Sequence, residues 1–160
     1  MKKWLISIIV LISVVGFAYA AELPLLVPYD RPELQGQFLY CYNPMTTVTS
    51  KILTGSPVIY ASTATFGGIA YGIGVSTTGT ANDEYVIGVA VEDILAGTWG
   101  KVQTWGYCKK IKVQICTAGE ALATAGTGGF ADTSTTAGAV FATALDTDTS
   151  SGTVRGWIYR

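Results

Sequence analysis

The stretch Lys110-Ile111-Lys112-Val113-Gln114-Ile115-Cys116 alternates polar and apolar residues without a break. Successive strand side chains point to opposite faces of a sheet, so this pattern reads as a half-buried β-strand with Ile111, Val113 and Ile115 facing inward. Working outward, the neighbouring text has the same character. Trp99 to Tyr107 is an aromatic strand before it, and Tyr85 to Glu92 and Gly68 to Val75 precede that. A turn-rich loop, Ser76 to Asn82, divides these two. Further back lie Pro57 to Ala61 and Gln37 to Tyr42, the latter closed by Asn43-Pro44; Ala139 to Leu145 and Thr153 to Tyr159 end the series. About eight short strands at short spacing, with no amphipathic helix after residue 20, predict an all-β fold: one small β-barrel or β-sandwich over residues 37–160.

The first twenty residues differ from the rest. Lys2 and Lys3 start the chain, Trp4 to Phe17 is an apolar run, and Ala18-Tyr19-Ala20 supplies small residues before Ala21-Glu22. That order of basic, apolar and small residues is the order of a secretory signal. The same run is about 27 Å long as a helix, so an uncleaved copy is a borderline membrane anchor. Loss of the segment would move the formal charge from −1 to −3 by removing Lys2 and Lys3. Residues 21–36 then hold Pro24, Pro28 and Pro32, which forbid a helix and favour an extended arm. Leu23, Leu25, Leu26, Val27 and Tyr29 make that arm apolar, suited to packing on its own domain or on a neighbouring subunit.

Composition excludes several classes. Histidine is absent, which removes Ser-His-Asp and Cys-His catalysis and histidine metal ligands. Charged residues are only 13% and hydrophobic residues 49%, the opposite of a disordered chain. A near-neutral charge of −1 gives no field for nucleic acid. Lys109, Lys110 and Lys112 form the basic cluster beside Trp105 and Tyr107, and the solvent face of a strand explains them. The adjacent acids Asp83-Glu84 and Glu92-Asp93 sit at strand boundaries, where acids cap turns, and no Asp-rich loop offers Ca²⁺ enough ligands. Catalytic, metal and cofactor sites are therefore expected to be absent.

Three cysteines, Cys41, Cys108 and Cys116, lack metal-ligand spacing. Cys108 and Cys116 on one strand would lie about 26 Å apart, so a disulfide would have to join Cys41 to Cys108 or Cys116. Free buried thiols are the equal alternative. From Thr117 to Thr153 the chain is mostly Thr, Ala, Gly and Ser, with Leu122, Phe130, Val140, Phe141 and Leu145 spaced as core anchors. A faint echo also runs through the chain. Ala90-Val91-Glu92 leads by a turn to Gly97-Thr98 and an aromatic strand, and Ala144-Leu145-Asp146 leads by a turn to Gly152-Thr153 and another.

The text from Gly88 to Gly106, with Gly88-Val89-Ala90, Asp93, Ala96-Gly97 and then Gly100, Val102 and Gly106, resembles tailed-phage capsid decoration, or cement, proteins. Ala118-Gly119-Glu120-Ala121-Leu122 and Ala142-Thr143-Ala144-Leu145 are similar to later motifs of that family. The resemblance spans roughly Ser56 to Arg160. It implies a non-enzymatic virion protein on the capsid surface, a small β-barrel or β-sandwich bound to the major capsid protein lattice, and a homo-oligomer, often a trimer. It implies no catalytic residues and no cofactor. Trp99, Trp105, Tyr107, Trp157 and Tyr159 are the candidate interface anchors, with core packing as their other role. The second reading, from the signal-like start, is an exported bacterial surface or periplasmic β-domain acting in adhesion or a surface layer.

Overall fold

The computed structural model describes residues 36–159, apart from 48, 67, 68, 135 and 137. The signal-like segment and residues 21–35 of the arm lie outside the described residues. Nine strands follow one another: β1 (Gly36–Tyr42), β2 (Pro57–Phe66), β3 (Ile69–Ser76), β4 (Val86–Ala90), β5 (Trp99–Val113), β6 (Ala121–Thr124), β7 (Ala131–Thr133), β8 (Ala142–Ala144) and β9 (Gly152–Tyr159). No helix occurs among the described residues, and all nine strands join one sheet. The all-β expectation therefore holds at this level.

The pairing returns on itself twice. One circuit runs β1-β3-β2-β4-β5 and closes because β1 also pairs with β5. The other runs β5-β7-β6-β8-β9 and closes because β5 also pairs with β9. β5 is long enough, at 15 residues, to belong to both. Its first half pairs with β1 from Trp99 to Gly106 and with β4 at Val102 and Gln103. Its second half pairs with β9 from Trp105 to Val113 and with β7 at Val113. A strand has only two edges, so β1 and β9, which overlap at Trp105 and Gly106, must take opposite ones.

The buried residues form two cores, the second of which also takes Val86 and Val89 from β4 of the first circuit. Cys41, Ile52, Val58, Val75, Ala90, Ile94 and Val102 fill the first. Cys108, Ile111, Val113, Cys116, Leu122, Phe141, Val154 and Ile158 are central to the second. Of the five spaced anchors, Leu122 and Phe141 are fully buried, Phe130 and Val140 are half-buried, and Leu145 is exposed.

Three sequence expectations change. Trp99 to Tyr107 and Lys110 to Cys116 are one strand, β5, and it stops at Val113. A bulge between Cys108 and Ile111 places one extra residue on β5, so Lys109 and Lys110 both face solvent before Ile111 and Val113 turn inward. The chain then bends, which leaves Ile115 outside and carries Cys116 inside to bridge Asp148. The short strands β6 and β7 had no counterpart in the sequence reading, because Ala-Thr text of three or four residues shows no period.

The echo is structural. Every pairing of the first circuit recurs in the second with the same sense. β1 with β3 and β5 with β7 are parallel; β2–β3, β2–β4, β4–β5 and β1–β5 are antiparallel, as are β6–β7, β6–β8, β8–β9 and β5–β9. Loop hydrogen bonds repeat as well. The Gly55 N–H donates to the Ala90 carbonyl and the Ala90 N–H to the Ser56 carbonyl; Gly119, Ala144 and Glu120 do the same. Both glycines sit at positive φ, 86° and 90°. Ile52 bridges Ile94 as Cys116 bridges Asp148. Glu92 accepts from the Lys101 N–H nine residues on, and Asp146 accepts from the Arg155 N–H nine residues on. The chain holds two tandem repeats of one topology, and the second half of β5 serves repeat 2 as β1 serves repeat 1.

Candidate functional site: an aromatic face along β5

On β5, Trp99, Lys101 and Gln103 share one face, with Gly100 and Val102 on the other. The extra residue at Thr104, where the register with β1 shifts, exchanges the faces, so Trp105 and Tyr107 lie on the face opposite to Trp99, with Gly106 and Cys108 buried behind them. Directly opposite residues of antiparallel strands share a face. β1 therefore adds Tyr42 opposite Trp99, Tyr40 opposite Lys101 and Phe38 opposite Gln103. β9 adds Tyr159 opposite Trp105 and Trp157 opposite Tyr107. The result is an aromatic band in two parts: Phe38, Tyr40, Tyr42 and Trp99 on one face, and Trp105, Tyr107, Trp157 and Tyr159 on the other.

All five aromatic residues singled out from the sequence lie on this band. Trp99, Trp105 and Tyr159 are 37%, 41% and 44% exposed, and Tyr107 and Trp157 are half-buried. Sequence reading passed over Phe38, Tyr40 and Tyr42; Tyr40 is the most open of the band at 62%. The signal was present in the period-two spacing of those three aromatics, which the reading recorded only as an aromatic-rich run.

Fixed contacts hold the rings. The indoles of Trp105 and Trp157 meet edge-to-face with centroids 5.3 Å apart at 79°. Tyr42 and Trp99 are tilted at 48° with centroids 5.4 Å apart. Trp99 lies across Gly72 of β3, where any Cβ would overlap the indole. The Lys101 ammonium stands 5.6 Å from the Tyr40 ring centroid. The Tyr159 hydroxyl and Thr143 Oγ1 are 2.8 Å apart. Gln103, beside Phe38, is buried, and its Nε2 donates to the Tyr107 carbonyl at 2.7 Å and the Trp105 carbonyl at 3.2 Å.

Charges around the band are structural ties. Arg155 grips Asp146 through Nε at 2.8 Å and through Nη2, and the side-chain and backbone bonds from Arg155 pull the Asp146 carboxyl down to about 2. Asp93 is held low by hydrogen bonds from the Thr54 N–H and hydroxyl, with Lys51 beside it. Asp83 caps the turn before Tyr85 through the Tyr85 N–H. The Lys112 ammonium stands 4.5 Å from the Phe130 ring centroid. No set of three or more Cys, Asp or Glu that could hold a metal occurs among the described residues.

The three cysteines are free and buried. Cys41 belongs to the first core and Cys108 and Cys116 to the second, so the two pairings considered from the sequence would join different cores. Burial pushes the Cys41 thiol up to about 11 and raises Cys108 and Cys116 as well. The folded chain therefore keeps a proton at Cys41 that the unfolded chain releases above its ordinary 9.0. Stability should be intact below pH 9 and fall as pH rises toward 11. A urea midpoint unchanged between pH 8 and 10.5 would contradict this. At pH 8 a thiol reagent should find no reactive cysteine in the native chain and three in guanidinium.

No protein-family model matches the chain, and no curated protein matches it. Among solved structures, the chain is similar to the N base of the head fiber gp8.5 of bacteriophage phi29. The likeness has a TM-score of 0.53 at 17% sequence identity and covers 77% of this chain and 95% of that one. At this identity the shared property is the fold.

Proposed function

We propose that this chain is a non-enzymatic structural protein of a phage virion, seated on the capsid surface through its exposed β-face. The observation that carries the reading is the fold it shares with nearly the whole of a phage head-fiber base. The text from Gly88 to Gly106, similar to capsid decoration proteins, supports it independently. In this reading each strand circuit closes as a small barrel, and the face that carries Trp105, Tyr107, Trp157 and Tyr159 meets the major capsid protein lattice. A contact face needs exposed, rigid aromatic anchors, and Trp105 and Tyr159 have that character. No catalytic step is assigned, and the protein acts by occupancy.

The test is co-sedimentation of the full chain with purified phage heads. Wild type should pellet with heads and saturate. Trp105→Ala combined with Tyr159→Ala should weaken binding by about 30-fold or more, the loss of one hot spot. The unfolding midpoint should move far less, since both side chains are partly open to solvent. Failure of wild type to bind any heads, with a mature N-terminus at Ala21 in a cell-surface fraction, would overturn the reading in favour of the exported β-domain.

A further inference from the structure

We propose that a second copy of this chain docks head-to-tail on repeat 2, continuing the way repeat 2 already sits on repeat 1. In repeat 1 the surface made by Thr54, Gly55 and Val91 is covered by the second half of β5. The Lys112 N–H donates to the Gly55 carbonyl at 2.8 Å, and the Lys110 carbonyl and Lys112 side chain lie so close that a Cβ at Gly55 would meet them at 3.0–3.3 Å. Thr54 and Val91 are half-buried there and Gly55 is buried.

Among the described residues, nothing covers the same surface of repeat 2. The repeated hydrogen bonds match Gly119 to Gly55 and Ala144 to Ala90, and the residues beside them, Ala118 and Leu145, then match Thr54 and Val91. Ala118, Gly119 and Leu145 are all exposed, and nothing lies within 4 Å of a Cβ at Gly119. A repeat array covers each unit with the next and leaves its last unit open unless a cap covers it. No polar cap covers this surface among the described residues. It is more apolar than its covered counterpart, with Leu145 (43% exposed) for Val91, Ala118 for Thr54 and Ile115 (59% exposed) for Lys51. Asp93, which pairs with Lys51 in repeat 1, is matched by uncharged Thr147. A surface facing only water would gain nothing from trading an ion pair for Ile and Leu.

The topology identifies the occupant. What covers repeat 1 is the opening strand of a repeat, the second half of β5. The register of Ile111 with Val154 and Lys112 with Thr153 matches that of Cys41 with Gly100 and Tyr42 with Trp99, so β1 is the equivalent opening strand. β1 also has unspent apolar surface, since Phe38, Leu39 and Tyr40 are all exposed large hydrophobics. The repeat-2 surface of one copy thus receives β1 of the next. Two different patches meet, so the contact is heterologous and builds a ring if the rotation closes and a filament if it does not.

Sedimentation of the full chain tests this. Wild type should self-associate with rising concentration. Leu145→Asp should weaken association by about tenfold or more, and Tyr40→Asp should do the same from the other side. Each variant keeps one intact patch, so an equimolar mixture should regain a one-to-one dimer that neither forms alone. Protection of all three thiols in the native state certifies that each variant is folded. A wild type that stays monomeric to about 100 μM, an unaffected Leu145→Asp, or a mixture that fails to dimerise would each overturn the proposal. None of these outcomes depends on binding to phage heads.

Discussion

Replacing Phe141 by Ala lowers the stability of the fold by about 3–5 kcal/mol, the range for deleting a buried phenyl ring. Phe141 is among the largest fully buried side chains and belongs to the second core. Its backbone is held on two sides. The Phe141 N–H donates to the Leu122 carbonyl of β6, and the Phe141 carbonyl accepts from the Tyr159 N–H of β9. With the main chain fixed between two strands, the walls of the vacated space cannot close in, which places the cost toward the upper end. For a domain of this size that corresponds to a drop in the thermal midpoint of roughly 10–20 °C. Both circuits should melt together because β5 runs through both, so calorimetry should show one transition at the lower temperature. A variant that melts within a few degrees of wild type would mean that this core is loosely packed.

Gly88→Ala is the second large loss, and the repeat supplies its control. Gly88 lies on β4 where β5 passes so close that an added Cβ would overlap the Gln103 carbonyl. The obstacle is backbone, which cannot swing aside as a side chain can. The strands must part, and the expected cost is about 3 kcal/mol or more, at or above the usual overpacking range. The repeated pairing of Val89 with Gln103 and Thr143 with Trp157 matches Gly88 to Ala142, where a methyl is accommodated with no exposure. Ala142→Gly should therefore cost only about 1–2 kcal/mol, a buried methyl plus the added freedom of glycine. Urea unfolding of the pair checks both. Equal costs at the two positions would sink the argument from close strand approach.

The all-β architecture was legible because its strongest signal is local. Ile111 and Val113 face inward as the alternation requires. The same pattern misled at Ile115, because a polar-apolar alternation continues through a bend that only the bridge of Cys116 to Asp148 reveals. The division of β5 into two strands had a similar cause. Cys108-Lys109 read as a gap between two strands, and a bulge allows this stretch to sit inside one strand. The repeat was faint in the text because its cores exchange small and large residues. Gly100 and Val102 of repeat 1 stand where Val154 and Gly156 stand in repeat 2, so packing is kept while identity is lost. Five of the eight aromatic residues of the band were read from the sequence, and the three on β1, Phe38, Tyr40 and Tyr42, were missed. The band's assembly depends on the register of β1 against β5, which no local pattern encodes.

The overlap of β1 and β9 on β5 sets how anything joined to this domain must leave it. Gln37 and Tyr159 both pair with Trp105, one on each edge of the same strand. Two ladder spacings put the described chain's first and last strands roughly 10 Å apart. A linker of a few glycines could span that gap and a new start could be cut in the exposed loop at Ala81-Asn82, giving a circular permutant with every strand pairing retained. The domain is thus a handle with one attachment point. Segments joined directly to Gly36 and to Tyr159 would emerge beside Trp105 and would shield it. A probe placed in the Ala81-Asn82 loop would leave the band open.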